Sequence, residues 1–422
     1  MTDLDTHVAP APSALRRAAP ALLGYAAVRA LGLIVLVVWS AARDKSAHTL
    51  LTARWDSLWY TRVAELGYGY EVRLPNGDVH SNLAFFPLLP WLERGLHAVS
   101  PLSYADAGLV VSLLASLAAA WGVFAVADHV YGRRAGVCAV LLWAVLPVGI
   151  VQSMAYSESL FTALAAWSLY AVLTGRWITA GTLAALAGLT RPVGLAVVAA
   201  VWAAGIASFV RESRESGQPT GGGARGSSFA WPRSGAVRPR ARDASHAPAP
   251  VPADGAPGWR RALGLLLAPL GAAGYVLWVG HRTGKGPLGY LDVQAGWRNG
   301  FDGGYAFARF VAEKFTSVPG AFAGLALIAG VALVIRLYVV GVRQGQPLPL
   351  LVYTGVVTAL ALCASSYFGS KPRLLMPAFP LLLPLALALA RARPRRSAAV
   401  LAAVAGASAV YGAFWLNGSG PP

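Results

Sequence analysis

The chain has 422 residues, of which 56% are apolar and only 13% charged, and its mean hydropathy is +0.55. That charged share is about half the soluble-domain average, which excludes a disordered chain and an ordinary soluble enzyme. The net charge of +17 would suit a nucleic-acid partner only if it were concentrated on one folded face, and its distribution points elsewhere. Two cysteines, Cys138 and Cys363, lie in apolar runs and read as small buried residues rather than a disulfide framework.

In chain order, residues 1–19 are Ala/Pro-rich and predict a disordered cytoplasmic tail. The first apolar run covers about 21–42 behind Arg16 and Arg17. It reads as an uncleaved span, because its apolar core is long for a signal peptide and more spans follow. A polar and aromatic stretch, 43–103, comes next. Apolar runs then lie near 104–127, 136–151, 158–174, 177–190 and 193–210. The 211–258 stretch is rich in Gly, Pro, Ser and Arg and predicts a disordered basic loop. Further runs lie near 260–280, 317–340, 350–366, 374–390 and 397–416.

A span needs roughly 20 apolar residues, so the pattern predicts an all-α polytopic protein with about eleven transmembrane helices. The predicted organisation is an N-terminal membrane module over 20–210, the loop 211–258 and a set of C-terminal membrane helices over 259–422. The 177–190 run is too short to cross alone, so it and 193–210 are expected to meet inside the protein at Thr190-Arg191-Pro192.

Arg133-Arg134, the 211–261 stretch and the Arg391/Arg393/Arg395/Arg396 cluster hold most of the excess positive charge. The positive-inside rule places them in the cytoplasm. Loops 43–103, 281–316 and 367–373 then face outward. The charge sets orientation and attracts membrane lipid, and no nucleic-acid partner is implied.

The outward segments set their charges beside aromatics. Trp55, Leu58, Trp59 and Arg62 share a helical face that can lie flat on a membrane surface, holding Asp56 at headgroup level. The same residues also fit an aromatic interface belt with a solvated Asp. Asn82 to Pro90 predicts a kinked interfacial helix or re-entrant turn. In Tyr156-Ser157-Glu158-Ser159, Glu158 is either a helix-dipole partner or faces a polar cavity. Arg191, at membrane depth, needs an anion, which Glu158 or a lipid phosphate would supply. Lys371 and Arg373 form either a phosphate clamp or a snorkelling pair. There is no glycine-rich nucleotide loop and no His/Cys metal spacing. Asp3-Leu4-Asp5 reads as chance, and His80 as a solvated loop residue.

Three runs in 43–103 resemble the first luminal loop of the PIG-V mannosyltransferase family: Arg54-Trp55-Asp56-Ser57, Ala64 to Glu71 and Ala84 to Pro90. Ala155-Tyr156-Ser157-Glu158-Ser159-Leu160-Phe161 is similar to that family's Tyr-Ser/Thr-Glu motif, and Leu189 to Gly194 to its Arg-containing motif. Pro372-Arg373-Leu374-Leu375-Met376-Pro377 resembles a late motif shared more widely among GT-C glycosyltransferases. Val72 to Ser81 and the 211–258 loop depart from the family pattern.

The resemblance implies a GT-C fold whose large first extracytoplasmic loop carries interfacial helices. It implies inverting transfer of mannose from a polyprenyl-phosphate sugar to a glycolipid or glycoprotein acceptor. Asp56 would take the acceptor proton. Arg191, Lys371 and Arg373 would hold the donor phosphate. Trp55, Trp59, Tyr60, Glu71, Tyr156 and Glu158 would contact substrate. No cofactor is required beyond that donor, and no metal ligand set is evident. The expected location is the cell membrane, with the active site on its outer face; the eukaryotic relatives belong to the endoplasmic reticulum. Two alternatives stand beside this reading: another sugar, such as arabinose or glucose, and a lipid or sugar transporter.

Overall fold

A computed structural model describes residues 13–216, 258–365 and 367–418. The elements in order are α1 (Ala14–Ala41), α2 (Ala47–Thr52), α3 (Asp56–Leu66), β1 (Glu71–Arg73), β2 (Val79–Ser81), α4 (Leu88–Ala98), α5 (Tyr104–Tyr131) and α6 (Arg133–Ala144). Then follow α7 (Ser157–Leu173), α8 (Trp177–Gly188), α9 (Leu195–Ser216), α10 (Gly258–Leu267), α11 (Leu270–Thr283), α12 (Gly289–Gly296) and α13 (Tyr305–Glu313). The last are α14 (Val318–Arg343), α15 (Leu348–Cys363), α16 (Lys371–Leu375), α17 (Leu383–Arg391) and α18 (Pro394–Leu416).

The helix starts are chemically marked. Ser13, Ser46, Ser103 and Ser317 each accept a backbone N–H of the first turn through the side chain, capping α1, α2, α5 and α14. Among the described residues, six helices are long and apolar enough to cross a membrane, or seven if the bent pair 368–375 and 379–391, folded by 76°, counts as one. The chain is a multi-span, helical membrane protein.

The expected count of eleven crossings is not reached by this measure. Each of the eleven apolar runs carries helix, but α6 and α8 have 12 residues each, about 18 Å of helix against a hydrocarbon core of about 30 Å. Two expected boundaries are corrected. Helix α1 begins inside the tail expected over 1–19, and α9 runs through Ser216 into the loop expected over 211–258. The rest of that tail and loop, with Asp3 and Asp5, lies outside the described residues. The 43–103 segment also carries two strands. The segment that departs from the family pattern forms an antiparallel hairpin, with Glu71 opposite Ser81 and Arg73 opposite Val79. Its turn holds Gly77 at φ 86°, a conformation that suits glycine.

Contacts segregate by end as the charge pattern requires. Arg17 pairs with Asp128 at 2.8 Å, Arg133 donates to the Arg17 carbonyl and Arg134 to that of Ala392. The outward-assigned segments meet at the opposite ends of α1 and α5. Between the two ends, the buried Arg29 guanidinium donates to the carbonyls of Ala144 and Gly149, bridging the break after α6. Helix α8 meets α10 and α11 backbone to backbone. A Cβ at Gly181 would strike the Gly264 carbonyl, one at Gly264 that of Trp177, and one at Gly271 that of Ala185. Such close approach is how helices associate in lipid, where no hydrophobic drive exists between them.

Candidate active site

Four segments far apart in sequence converge on one charged cluster. Asp56 opens α3 and Glu158 lies in the first turn of α7. Both carboxylates therefore sit at helix ends whose partial positive charge favours them. Arg191 lies at the break after α8, just before the turn that Pro192 begins, and Arg373 is in the last turn of α16.

The Arg373 Nη1 donates to Asp56 Oδ2 at 2.8 Å, and its Nε lies 3.4 Å from Glu158 Oε1. Glu158 also pairs with Arg191. The Asp56 side chain is 26% exposed, that of Arg373 8% and that of Glu158 1%. Two cations and two anions thus form a neutral chain, Arg191–Glu158–Arg373–Asp56, buried at Glu158 and half-open at Asp56. Neutrality matters, because an unpaired charge at this depth would cost several kcal/mol.

Neighbouring side chains fix the cluster. The Tyr60 hydroxyl and Ser157 Oγ share a 2.7 Å hydrogen bond, and Arg191 Nη1 donates to the same Ser157 at 3.3 Å. Burial pushes the Tyr60 phenol up, so it stays protonated. The Arg373 guanidinium lies 5.2 Å from the Tyr156 ring centre. Ser157 escaped the sequence reading as a site residue; its signal was its place between Tyr156 and Glu158 in the motif.

The residue before Asp56 is strained. Trp55 has φ 52° and ψ −121°, a left-handed conformation that costs a bulky residue about 1–3 kcal/mol. Its ring lies 4.1 Å from the Arg54 guanidinium. Trp59 belongs to packing: its ring stacks on Phe85 at 5.6 Å and meets Trp297 edge-on at 4.8 Å. His80 stacks on Trp297 at 4.0 Å rather than standing free in a loop.

Besides Trp59, two predicted site residues are not brought to the cluster by any contact among the described residues. Glu71 is exposed on β1, opposite Ser81. Lys371 is buried, and its Nζ donates to the carbonyls of Ala361, Leu362 and Ala364 at 2.8, 3.3 and 2.9 Å. An ammonium has three donors, and here the backbone at the end of α15 takes all three. That geometry makes Lys371 a helix cap rather than a free phosphate clamp.

Residues 38–212 match the family described as Mannosyltransferase (PIG-V). GPI alpha-1,6-mannosyltransferase 2 of Rattus norvegicus is 33% identical over 175 residues, covering 38% of this chain and 33% of that protein. The Mus musculus protein of the same name is 33% identical over 172 residues, covering 37% and 32%. The chain thus spans about a third of the length of these relatives. Among solved structures it is similar to ArnT from Cupriavidus metallidurans bound to undecaprenyl phosphate, with TM-score 0.49, 14% identity and coverage of 90% of this chain and 63% of that one. It is also similar to the oligosaccharyltransferase AglB from Archaeoglobus fulgidus, with TM-score 0.45, 13% identity and coverage of 94% and 56%. The segment that supplies Asp56, Glu158 and Arg191 therefore carries the sequence pattern of the mannosyltransferase (PIG-V) family.

Proposed function

We propose that the chain is a membrane glycosyltransferase of the GT-C type. It moves a mannose from a polyprenyl-phosphate donor to a glycolipid or glycoprotein acceptor at the outer face of the cell membrane. The acceptor hydroxyl oxygen attacks the anomeric carbon opposite the phosphate. The carbon–oxygen bond to phosphate breaks, its electron pair leaves with the phosphate, and Asp56 takes the hydroxyl proton. The configuration inverts. A phosphate leaves without a strong acid, so one base and a set of cations suffice.

The observation that carries this reading is the Asp56–Arg373 pair at 2.8 Å. It sets a half-exposed carboxylate beside the guanidinium best placed to take a phosphate in bidentate fashion. Arg191 and Glu158 stand behind it. Mannose is favoured because residues 38–212 match a mannosyltransferase family.

The test uses membranes of a deletion strain, which hold the acceptor whatever its class, reconstituted with purified protein and polyprenyl-phosphate mannose carrying a radiolabel. Wild-type protein is expected to label one membrane species. Asp56→Asn should insert normally and lose about 10²–10⁴-fold in rate, the usual loss of a general base. Normal labelling by Asp56→Asn, or none by wild type, overturns the reading.

A further inference from the structure

We propose that Arg54 is a positioning residue for Asp56, and that it works by fastening the Asp56 turn to the C-terminal end of α18. The proposal rests on the reading of Asp56 as the base.

The turn before α3 cannot hold itself. Trp55 sits in the left-handed region, which L residues leave unless their surroundings fix them. Arg54 supplies that fixing from both its backbone and its side chain. Its backbone N–H donates to Ser57 Oγ at 2.9 Å, and Ser57 Oγ donates back to the Arg54 carbonyl at 2.7 Å. Its guanidinium lies against the Trp55 ring and donates through Nη1 to the Leu416 carbonyl and through Nη2 to that of Gly418, both at 2.6 Å. Two parallel donors with an aromatic face beside them are a geometry that a planar fork meets and an ammonium does not.

The anchor is itself held. Lys45 Nζ donates to the Asn417 carbonyl at 2.7 Å, and Asn417 Nδ2 to Ser40 Oγ at 3.1 Å. Arg54 has no contact with the Asp56 carboxylate, so its influence passes through the backbone of Trp55. Both Arg54 and Lys45 satisfy carbonyls at a helix C-terminus, where cations are favourable. Only Arg54 also belongs to the Asp56 turn. Lys45 therefore measures what uncapping α18 costs by itself.

The experiment compares Lys45→Ala, Arg54→Ala, Arg54→Lys, Asp56→Asn and the Arg54→Ala/Asp56→Asn double variant in the labelling assay, with melting temperatures in detergent. Lys45→Ala and Arg54→Ala should lower the melting temperature alike, while only Arg54→Ala lowers kcat, by about 10²-fold, at unchanged donor KM. Arg54→Lys should recover melting temperature but not kcat. Adding Arg54→Ala to Asp56→Asn should cost nothing further, as expected of residues acting as one unit. Equal kcat for Arg54→Ala and Lys45→Ala, or losses that multiply in the double variant, would overturn the proposal. If Asp56→Asn transfers normally, the base assignment falls. If Asp56→Asn is inactive while Arg54→Ala matches Lys45→Ala, only the positioning role falls.

Discussion

Asp56 and Arg373 are 317 positions apart in sequence, yet their side chains meet at 2.8 Å, joining the start of α3 to a short helix near the last spans. The pair is an interlock. On the proposed reading, a donor phosphate that draws Arg373 toward itself would separate the two side chains.

Arg373→Lys tests the fork. Lysine keeps the charge but cannot reach Asp56 and Glu158 together. Transfer should fall by about 10²–10³-fold, the cost of losing one placed electrostatic donor, with a raised donor KM. A variant with wild-type kcat and KM would remove Arg373 from the site.

Glu158→Gln leaves Arg191 and Arg373 facing each other in a buried space. Breaking such a pairing costs about 3–5 kcal/mol, so the melting temperature should drop sharply. Combining it with Arg191→Gln should restore part of the loss, because the two residues are in contact. Additive losses in thermal unfolding would contradict the pairing.

Lys371→Met should act on stability alone. It removes three charge-assisted hydrogen bonds to the end of α15, each worth about 1.5–3 kcal/mol at most. Donor KM in the surviving protein should be unchanged. A raised KM with an unaltered melting temperature would return Lys371 to the phosphate.

Glu93 gives a pH signature. Its side chain is fully buried in α4 against Gly108, and neither oxygen has a hydrogen-bond partner among the described residues. Burial holds its carboxyl well above the usual range. The folded protein keeps a proton that the unfolded chain gives up above about pH 4.3. Stability from this group is therefore complete below that pH and is lost as pH rises toward the folded-state value. Glu93→Gln should flatten the melting-temperature profile between pH 5 and 8, values within the usual range of maximal stability, and raise it at neutral pH. An unchanged slope would show that the carboxyl is ionised and paired.

Much of this was legible in the sequence, because long spans announce themselves: α1, α5, α14 and α18 are long and mostly apolar. The expected count of eleven rests on the short helices, and hydropathy measures composition rather than the length of helix that a run builds. The motif residues Asp56, Glu158, Arg191 and Arg373 meet in one cluster. Their pairing across the chain has no periodicity to read. Lys371 and Arg373 looked alike because a cation two positions from another carries no sign of which carbonyls are in reach. The β1–β2 hairpin did leave a signal, Pro75-Asn76-Gly77-Asp78, a cluster of turn residues between apolar positions. Arg54 was visible only as a motif member, because its partners are backbone carbonyls, which no side-chain pattern records.

The glycine seam joining α8 to α10 and α11 lies wholly outside 217–257, the stretch that links α9 to α10 in sequence. The second half is thus addressed to the first by shape, not by its tether. Cutting the gene within that stretch and co-expressing the two pieces should yield a working complex. Placing an alanine at Gly181 should abolish the reassembly of the pieces before it harms the intact chain.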